Sequence, residues 1–398
     1  MNKHSLNSPI TKITLLLAST LTVMAGATIS PSLPAMQSYF NEVENVDFWV
    51  RLVLTIPALS IVIGSPVAGQ MVDRLGRKSL LIGSAVLYGL GGSSGFLLNS
   101  LFAILIGRAL LGLGVAGVMV SATTLIADYY QGEKRANFMG LQSAFMGFGG
   151  VIFLTVGGYL ADLNWRLPFL IYLFAWILLP LVIFSIWESK HIQDDAVSVP
   201  NSSVLPVKLL GLIYASIMLM QVVFYLIPVQ LPFYLVNLSN ASATQSGLAI
   251  AFCTLFSAFA SMAYGKIKQR YSLIVILALS FALMGVGNII IGLASTYSIV
   301  LLGLVVAGMG LGLAIPNLNV WLSAEVPDSL RGRALGGLTT FMFLGQFLSP
   351  IVTQPLNNSL GLAATYGIAG VIITVFSLLL LLRQNQVCRF VHSKAAKT

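Results

Sequence analysis

Twelve apolar runs, each long enough to cross a bilayer as a helix, dominate this sequence and leave it one kind of fold. They occupy residues 12–36, 49–72, 79–98, 101–127, 136–160, 167–187, 208–235, 245–265, 272–293, 298–324, 334–356 and 362–382. A helix needs about 20 apolar residues to span the hydrocarbon core. Charged residues make up only 8% of the 398, against about 25% in soluble chains. The chain therefore reads as an all-α integral membrane protein. Its net charge of +9 does not point to nucleic acid, because the bases sit in short turns between apolar runs rather than on one surface. Cys253 lies inside a run and Cys388 in the tail, so no disulfide framework is expected. His4, His191 and His392 all lie outside the runs, which argues against a histidine relay, metal cluster or cofactor site within the membrane. Lys3 and Lys12, followed by apolar sequence up to Ala25-Gly26-Ala27, imitate a signal peptide. The run continues through Pro31 and Pro34, so it is read as a span.

The longest polar stretch, Glu188 to Pro206, holds Asp194, Asp195, Asn201, Ser202 and Ser203 and reads as a cytoplasmic linker. It divides the chain into a bundle over 1–187, a linker over 188–207 and a second bundle with a short tail over 208–398. With both termini inside, all the Lys and Arg except Arg51, Arg108 and Arg166 fall on the cytoplasmic side, as the positive-inside rule requires. Glu42, Glu44, Asp47 and Asp162 fall outside. The halves look like degenerate repeats. Gly69 to Arg74 has a counterpart in Gly265 to Arg270, with Gln269 in place of the acid, and Glu133-Lys134-Arg135-Ala136 corresponds to Leu330-Arg331-Gly332-Arg333-Ala334. Two similar six-helix bundles around a central cavity suit alternating access.

The densest knot of charge is Gly69-Gln70-Met71-Val72-Asp73-Arg74-Leu75-Gly76-Arg77-Lys78, a turn between the second and third runs. Gly76 permits a tight, left-handed turn, and Gly69 permits close approach of a neighbouring helix. Asp73 suits the N-terminus of another helix, where the dipole favours an anion. Arg77 suits a two-point bond to a carboxylate. Such a turn works as a conformational latch; the alternative is an anchor that only sets topology. Its glycines, acid and bases resemble the signature loop of the major facilitator superfamily of transporters. That resemblance covers nearly the whole chain and implies twelve helices in two pseudo-symmetric six-helix bundles. It also implies an Asp73–Arg77–Asp128 charge chain with Arg74 and Lys78 beside it; otherwise Asp128 is a solvated residue at a helix end.

The fourth run carries Arg108, then Gly112-Leu113-Gly114-Val115-Ala116-Gly117. A dinucleotide fingerprint has this spacing, but it needs a strand before it and a βαβ unit around it. Within a membrane helix the glycines serve close packing. Arg108 lies about 10 Å along its helix from Leu101, where a charge must pair or reach water, so it is expected to face the cavity. Arg followed by Gly-x-Gly resembles a motif of superfamily members that run on protons, which makes Arg108 the coupling candidate; the alternative is a structural anchor. The fifth run, with Gly140, Gly149, Gly157 and Gly158, resembles the antiporter motif of drug:proton exporters. It departs from it by carrying Phe153 and Leu154 where that motif has a Gly-Pro bend, which weakens the export reading. Gly345 to Pro350 keeps a related pattern.

Polar and aromatic residues within the runs are cargo candidates: Gln142, Phe145, Gln221, Tyr225, Asn317, Trp321 and Gln346. Each has an alternative role as glue between helices. No Asp or Glu lies in the middle of a run, so the cavity offers no fixed negative partner. The resemblance implies a monomeric, proton-coupled exporter of small amphipathic compounds in the plasma membrane of a bacterium, with the lipid bilayer as its surroundings. An exporter of one dedicated metabolite, such as a siderophore, is the second reading. A membrane enzyme or channel is a third, from another class, for which no clustered His, Asp, Glu or Cys and no selectivity-filter sequence is found.

Overall fold

In a computed structural model, residues 8–188 and 207–382 are described. The linker beyond Glu188, the tail with Cys388 and the first seven residues lie outside them. The described residues are almost wholly helical, because lipid offers no partner for backbone N–H and C=O groups and a helix satisfies them internally. The spans run Pro9–Tyr39, Val46–Leu75, Arg77–Leu97, Leu101–Tyr129, Gly132–Leu163, Leu167–Ser185, Val207–Ser239, Ala243–Lys268, Leu273–Gly292, Tyr297–Glu325 and Leu330–Leu382. The last is broken at Gly361, whose φ is 81°, and so supplies spans 11 and 12. Among the described residues, with the last helix counted as two across Gly361, the expected twelve crossings are present. The chain is a multi-pass integral membrane protein.

Prolines shape several spans. Span 1 passes through a short 3-10 turn at Ser30–Ser32, around Pro31, before resuming as helix at Leu33. Pro57 and Pro66 lie inside span 2, Pro180 inside span 6 and Pro316 inside span 10. Span 7 breaks at Tyr225, between Val207–Phe224 and Leu226–Ser239. Each internal proline removes the bond to the carbonyl four residues earlier. Other side chains can take those carbonyls.

Among the described residues there are two compact units. The first contains 8–188 with 228–251 and 346–351; the second contains 207–227, 252–345 and 352–382. In each, glycines bring helices into backbone contact. A Cβ on Gly112 would come closer than 3.0 Å to the Pro57 carbonyl, and one on Gly114 would meet the Tyr88 amide at 2.8 Å. A Cβ on Gly91 would meet the Leu111 amide at 2.6 Å. The second half reproduces the set. Gly308 meets the Cys253 carbonyl, Gly310 the Met284 amide at 2.8 Å and Gly287 the Ala307 amide at 2.5 Å. Every glycine and every partner is displaced by one constant offset (308 − 112 = 196, 253 − 57 = 196, 284 − 88 = 196). The glycines that imitate a dinucleotide fingerprint are therefore packing residues, and their register defines an internal repeat.

Candidate functional site

The turn between spans 2 and 3 builds a charged junction. Gly76 adopts φ +87°, which a side chain would strain, and span 3 begins at once with Arg77. Its first amides have no helical partner. Glu188, at the end of span 6, accepts them: Arg77 N donates to Oε1 at 2.7 Å and Lys78 N to Oε2 at 3.0 Å. An anion at a helix N-terminus gains from the dipole as well as from the bonds. A Cβ on Gly76 would lie 2.8 Å from the Glu188 carboxylate, so space as well as backbone angle calls for glycine. Lys78 Nζ donates to the Ile183 carbonyl at 2.6 Å, among the last carbonyls of the helix ending at Ser185. Arg77 Nε donates to Asp128 Oδ2 at 3.1 Å. Tyr129 Oη accepts from Trp187 N at 3.0 Å and donates to the Trp187 carbonyl. These bonds tie the adjoining ends of spans 3, 4 and 6.

The junction includes Gly76, Arg77, Lys78 and Asp128 and leaves out three residues expected in it. Asp73 and Arg74 are exposed, and the Asp73 carboxylate makes no hydrogen bond or ion pair among the described residues. Gly69 is not a close-approach site here: no atom lies within 4 Å of where its Cβ would be. The close approaches of span 2 are made higher up, at Gly64, where a Cβ would sit 2.9 Å from Leu113. Removing the Glu188 cap gives a direct test. Glu188→Ala should destabilise the protein by about 1 kcal/mol, the ordinary worth of an N-cap, and Glu188→Gln by less. Melting of the purified protein reads this, and an unchanged midpoint for Glu188→Ala would refute the cap.

Arg108 is fully buried. It faces neither lipid nor open water, contrary to the expected cavity position. Its Nε donates to the Val53 carbonyl at 2.9 Å and Nη2 to the Ala25 carbonyl at 2.9 Å. Val53 is four residues before Pro57, so its carbonyl lacks its usual helical donor. Ala25 lies in the last turn of the helix that ends at Ala27, where carbonyls also lack partners. The guanidinium sits 5.0 Å from the centre of the Tyr172 ring. Arg108 thus fastens spans 1 and 2 to span 4 through carbonyls that the backbone leaves unsatisfied, with the Tyr172 ring of span 6 packed beside it.

The cargo candidates divide. Asn317 is occupied between helices: Nδ2 donates to the Leu273 carbonyl at 2.8 Å, and Oδ1 accepts from Tyr264 Oη at 3.3 Å. Trp321, Tyr225 and Gln346 are buried. Gln221 is buried with Oε1 unpartnered among the described residues, and it keeps its link to Tyr225 through Tyr225 N to the Gln221 carbonyl at 3.0 Å. Gln142 and Phe145 are half-buried, and Gln142 Nε2 donates to Ser19 Oγ at 2.8 Å.

A second polar seam lies within the first unit. Asp162, near the end of span 5, accepts Ala243 N at 2.7 Å and Thr244 N at 3.0 Å, capping span 8. Gly158 lets the same segments touch, since a Cβ there would lie 2.7 Å from the Ala243 carbonyl. Arg51 Nε donates to Gln230 Oε1 at 2.7 Å, and its guanidinium covers the Phe233 ring at 4.0 Å.

A family model described as the Major Facilitator Superfamily matches residues 15–239 and 210–390. The chain belongs to that superfamily. Among curated relatives, it is 25% identical over 355 residues to a bacillibactin exporter of Bacillus subtilis, covering 84% of this chain and 87% of that one. It is 23% identical over 360 residues to the quinolone resistance protein NorA of Staphylococcus aureus, covering 86% and 91%. An inward-open structure of the xylose transporter XylE from E. coli matches with a TM-score of 0.75 at 16% identity, covering 93% of this chain and 94% of that one. A bacterial homologue of the lysosomal transporter Spinster matches at 0.73 and 17%, covering 97% and 96%. These structural likenesses support the superfamily fold.

For this superfamily member the sequence paired Arg77 with Asp128, a contact that is present, and it missed Glu188, Asp162 and Arg51 as interacting residues. Glu188 read as the first residue of a linker. Its one visible signal was an acid immediately after a span, at the same membrane face as the Gly76 turn. Asp162 and Arg51 read only as charges on the outer side.

Proposed function

We propose that this chain is a secondary active exporter of small amphipathic compounds, proton-coupled, working by alternating access between two six-helix halves, 1–187 and 208–398. Both termini are cytoplasmic in this reading, and the protein acts as a monomer in a bacterial plasma membrane. The observation that carries the reading is the junction at Gly76, with Arg77 bonded to Asp128 and Asp73 left free at the same turn. A junction with one member unengaged suits a latch that closes in another conformation, where Asp73 takes a helix N-terminus. The 196-residue register supports the two halves, and the curated relatives support export. Flux into proteoliposomes tests it: saturable uptake driven by an imposed pH gradient supports the reading, and gradient-independent flux overturns it. Export of one dedicated metabolite is the second reading, favoured by the likeness to a bacillibactin exporter. An accumulation screen of an overexpressing strain against many compounds separates the two.

Asp73→Asn should leave the protein in the membrane and slow transport strongly, because a neutral amide binds a helix N-terminus less well than an anion. Gln269→Ala, at the corresponding position of the second half, should be much milder than Asp73→Ala. Equal losses in the two alanine variants, at equal expression, would contradict this.

A further inference from the structure

Spans 9 and 12 leave a groove of about 310 Å³ between them. Its walls are apolar, with Val275, Leu279, Ala282 and Leu381 among them, and Ser377 Oγ closes one contact by donating to the Ala278 carbonyl at 2.6 Å. Leu279 and Leu381 are exposed in the protein alone, so in a bilayer they face hydrocarbon. Tyr271 also lines the groove and belongs to the turn between spans 8 and 9. The last turn of span 8 carries Lys266 and Lys268, and Arg270 follows in the connection, all exposed and without a side-chain partner among the described residues. At the matching turn of the first half, Asp73 is acidic and Glu188 caps the following helix. Here Gln269 replaces the acid, and the turn itself has bases with nothing to balance them.

We propose that this groove holds one anionic phospholipid, with an acyl chain along spans 9 and 12 and its phosphate among Lys266, Lys268 and Arg270. An apolar groove opening to hydrocarbon is filled by a chain rather than by water, which finds no polar partners there. Basic pockets between membrane helices select anionic headgroups, each base near the surface adding to the attraction. The site needs only that the spans cross a bilayer; it is independent of cargo and of transport direction.

The test is native mass spectrometry of the purified full chain, offered equal amounts of phosphatidylglycerol and phosphatidylcholine. The wild type should retain phosphatidylglycerol in preference. Lys266→Gln, Lys268→Gln and Arg270→Gln should each weaken that retention about fivefold. Ala282→Phe, which fills the groove and keeps every charge, should weaken it too; Leu279→Trp at the exposed lip repeats the reading if Ala282→Phe fails to fold. Equal retention of the two lipids by the wild type overturns the proposal. Unchanged phosphatidylglycerol retention in the combined charge variant also overturns it. So does loss with the charge variant but none with either groove variant, since headgroup pairing would then occur without the groove.

Discussion

Arg108→Ala is expected to melt well below the wild type, with Arg108→Lys in between. The alanine variant leaves the Ala25 and Val53 carbonyls without their donors. Each unsatisfied buried acceptor costs about 1–3 kcal/mol. Lysine retains the charge and three donors but lacks the planar fork that reaches two carbonyls on two helices. Under an imposed pH gradient in proteoliposomes, both variants should lose gradient-driven flux, while exchange of cargo survives in at least one. Arginine does not release its proton, so under the proposed proton coupling Arg108 would act by holding spans 1, 2 and 4 in register. Wild-type melting of Arg108→Ala would remove the anchoring role. Full pH-driven flux in both variants would remove Arg108 from coupling altogether.

Gly112→Leu should prevent accumulation of folded protein, and Gly308→Leu should do the same. A Cβ at either position enters the space of a carbonyl on the neighbouring helix, Pro57 in one half and Cys253 in the other. Backbone cannot turn aside as a flexible side chain can, so the penalty belongs at or beyond the top of the roughly 1–3 kcal/mol usual for overpacking. Gly69→Leu and Gly83→Leu are the controls, because nothing lies within 4 Å of either. Fluorescence-detected size exclusion of tagged variants reads the outcome. A monodisperse peak for Gly112→Leu at wild-type height would show that the helices separate without cost.

The twelve spans were legible because length and apolarity alone specify a crossing helix. Gly112 and Gly114 were legible as packing residues because the fingerprint they imitate requires a strand that a membrane chain cannot supply. Arg108 was legible as a charge that had to find partners within the membrane, yet which partners was not. They are backbone carbonyls, and only the pairing of a proline with the carbonyl four residues before it marks one of them in sequence. Gly69 was misplaced for a related reason: glycine permits close approach, but the sequence does not say which helix faces it. Asn317 looked like a cargo contact and proved to be bonded between Leu273 and Tyr264, because an amide within a span suits either use. The second half keeps the glycines at an offset of 196 residues (308 − 112) but has Leu304 where the first has Arg108 and Gln269 where the first has Asp73. Packing is shared between the halves, while Arg108 and Asp73 have no charged counterpart in the second.

The chain leaves span 6 at Glu188, the last described residue before the connection that resumes at Val207. A pull along that connection is therefore borne first by two bonds, from the amides of Arg77 and Lys78, and only afterwards by the body of span 6. The load arrives at the Gly76 turn. The Glu188 carboxylate is in effect a mooring, made fast to the first amides of span 3.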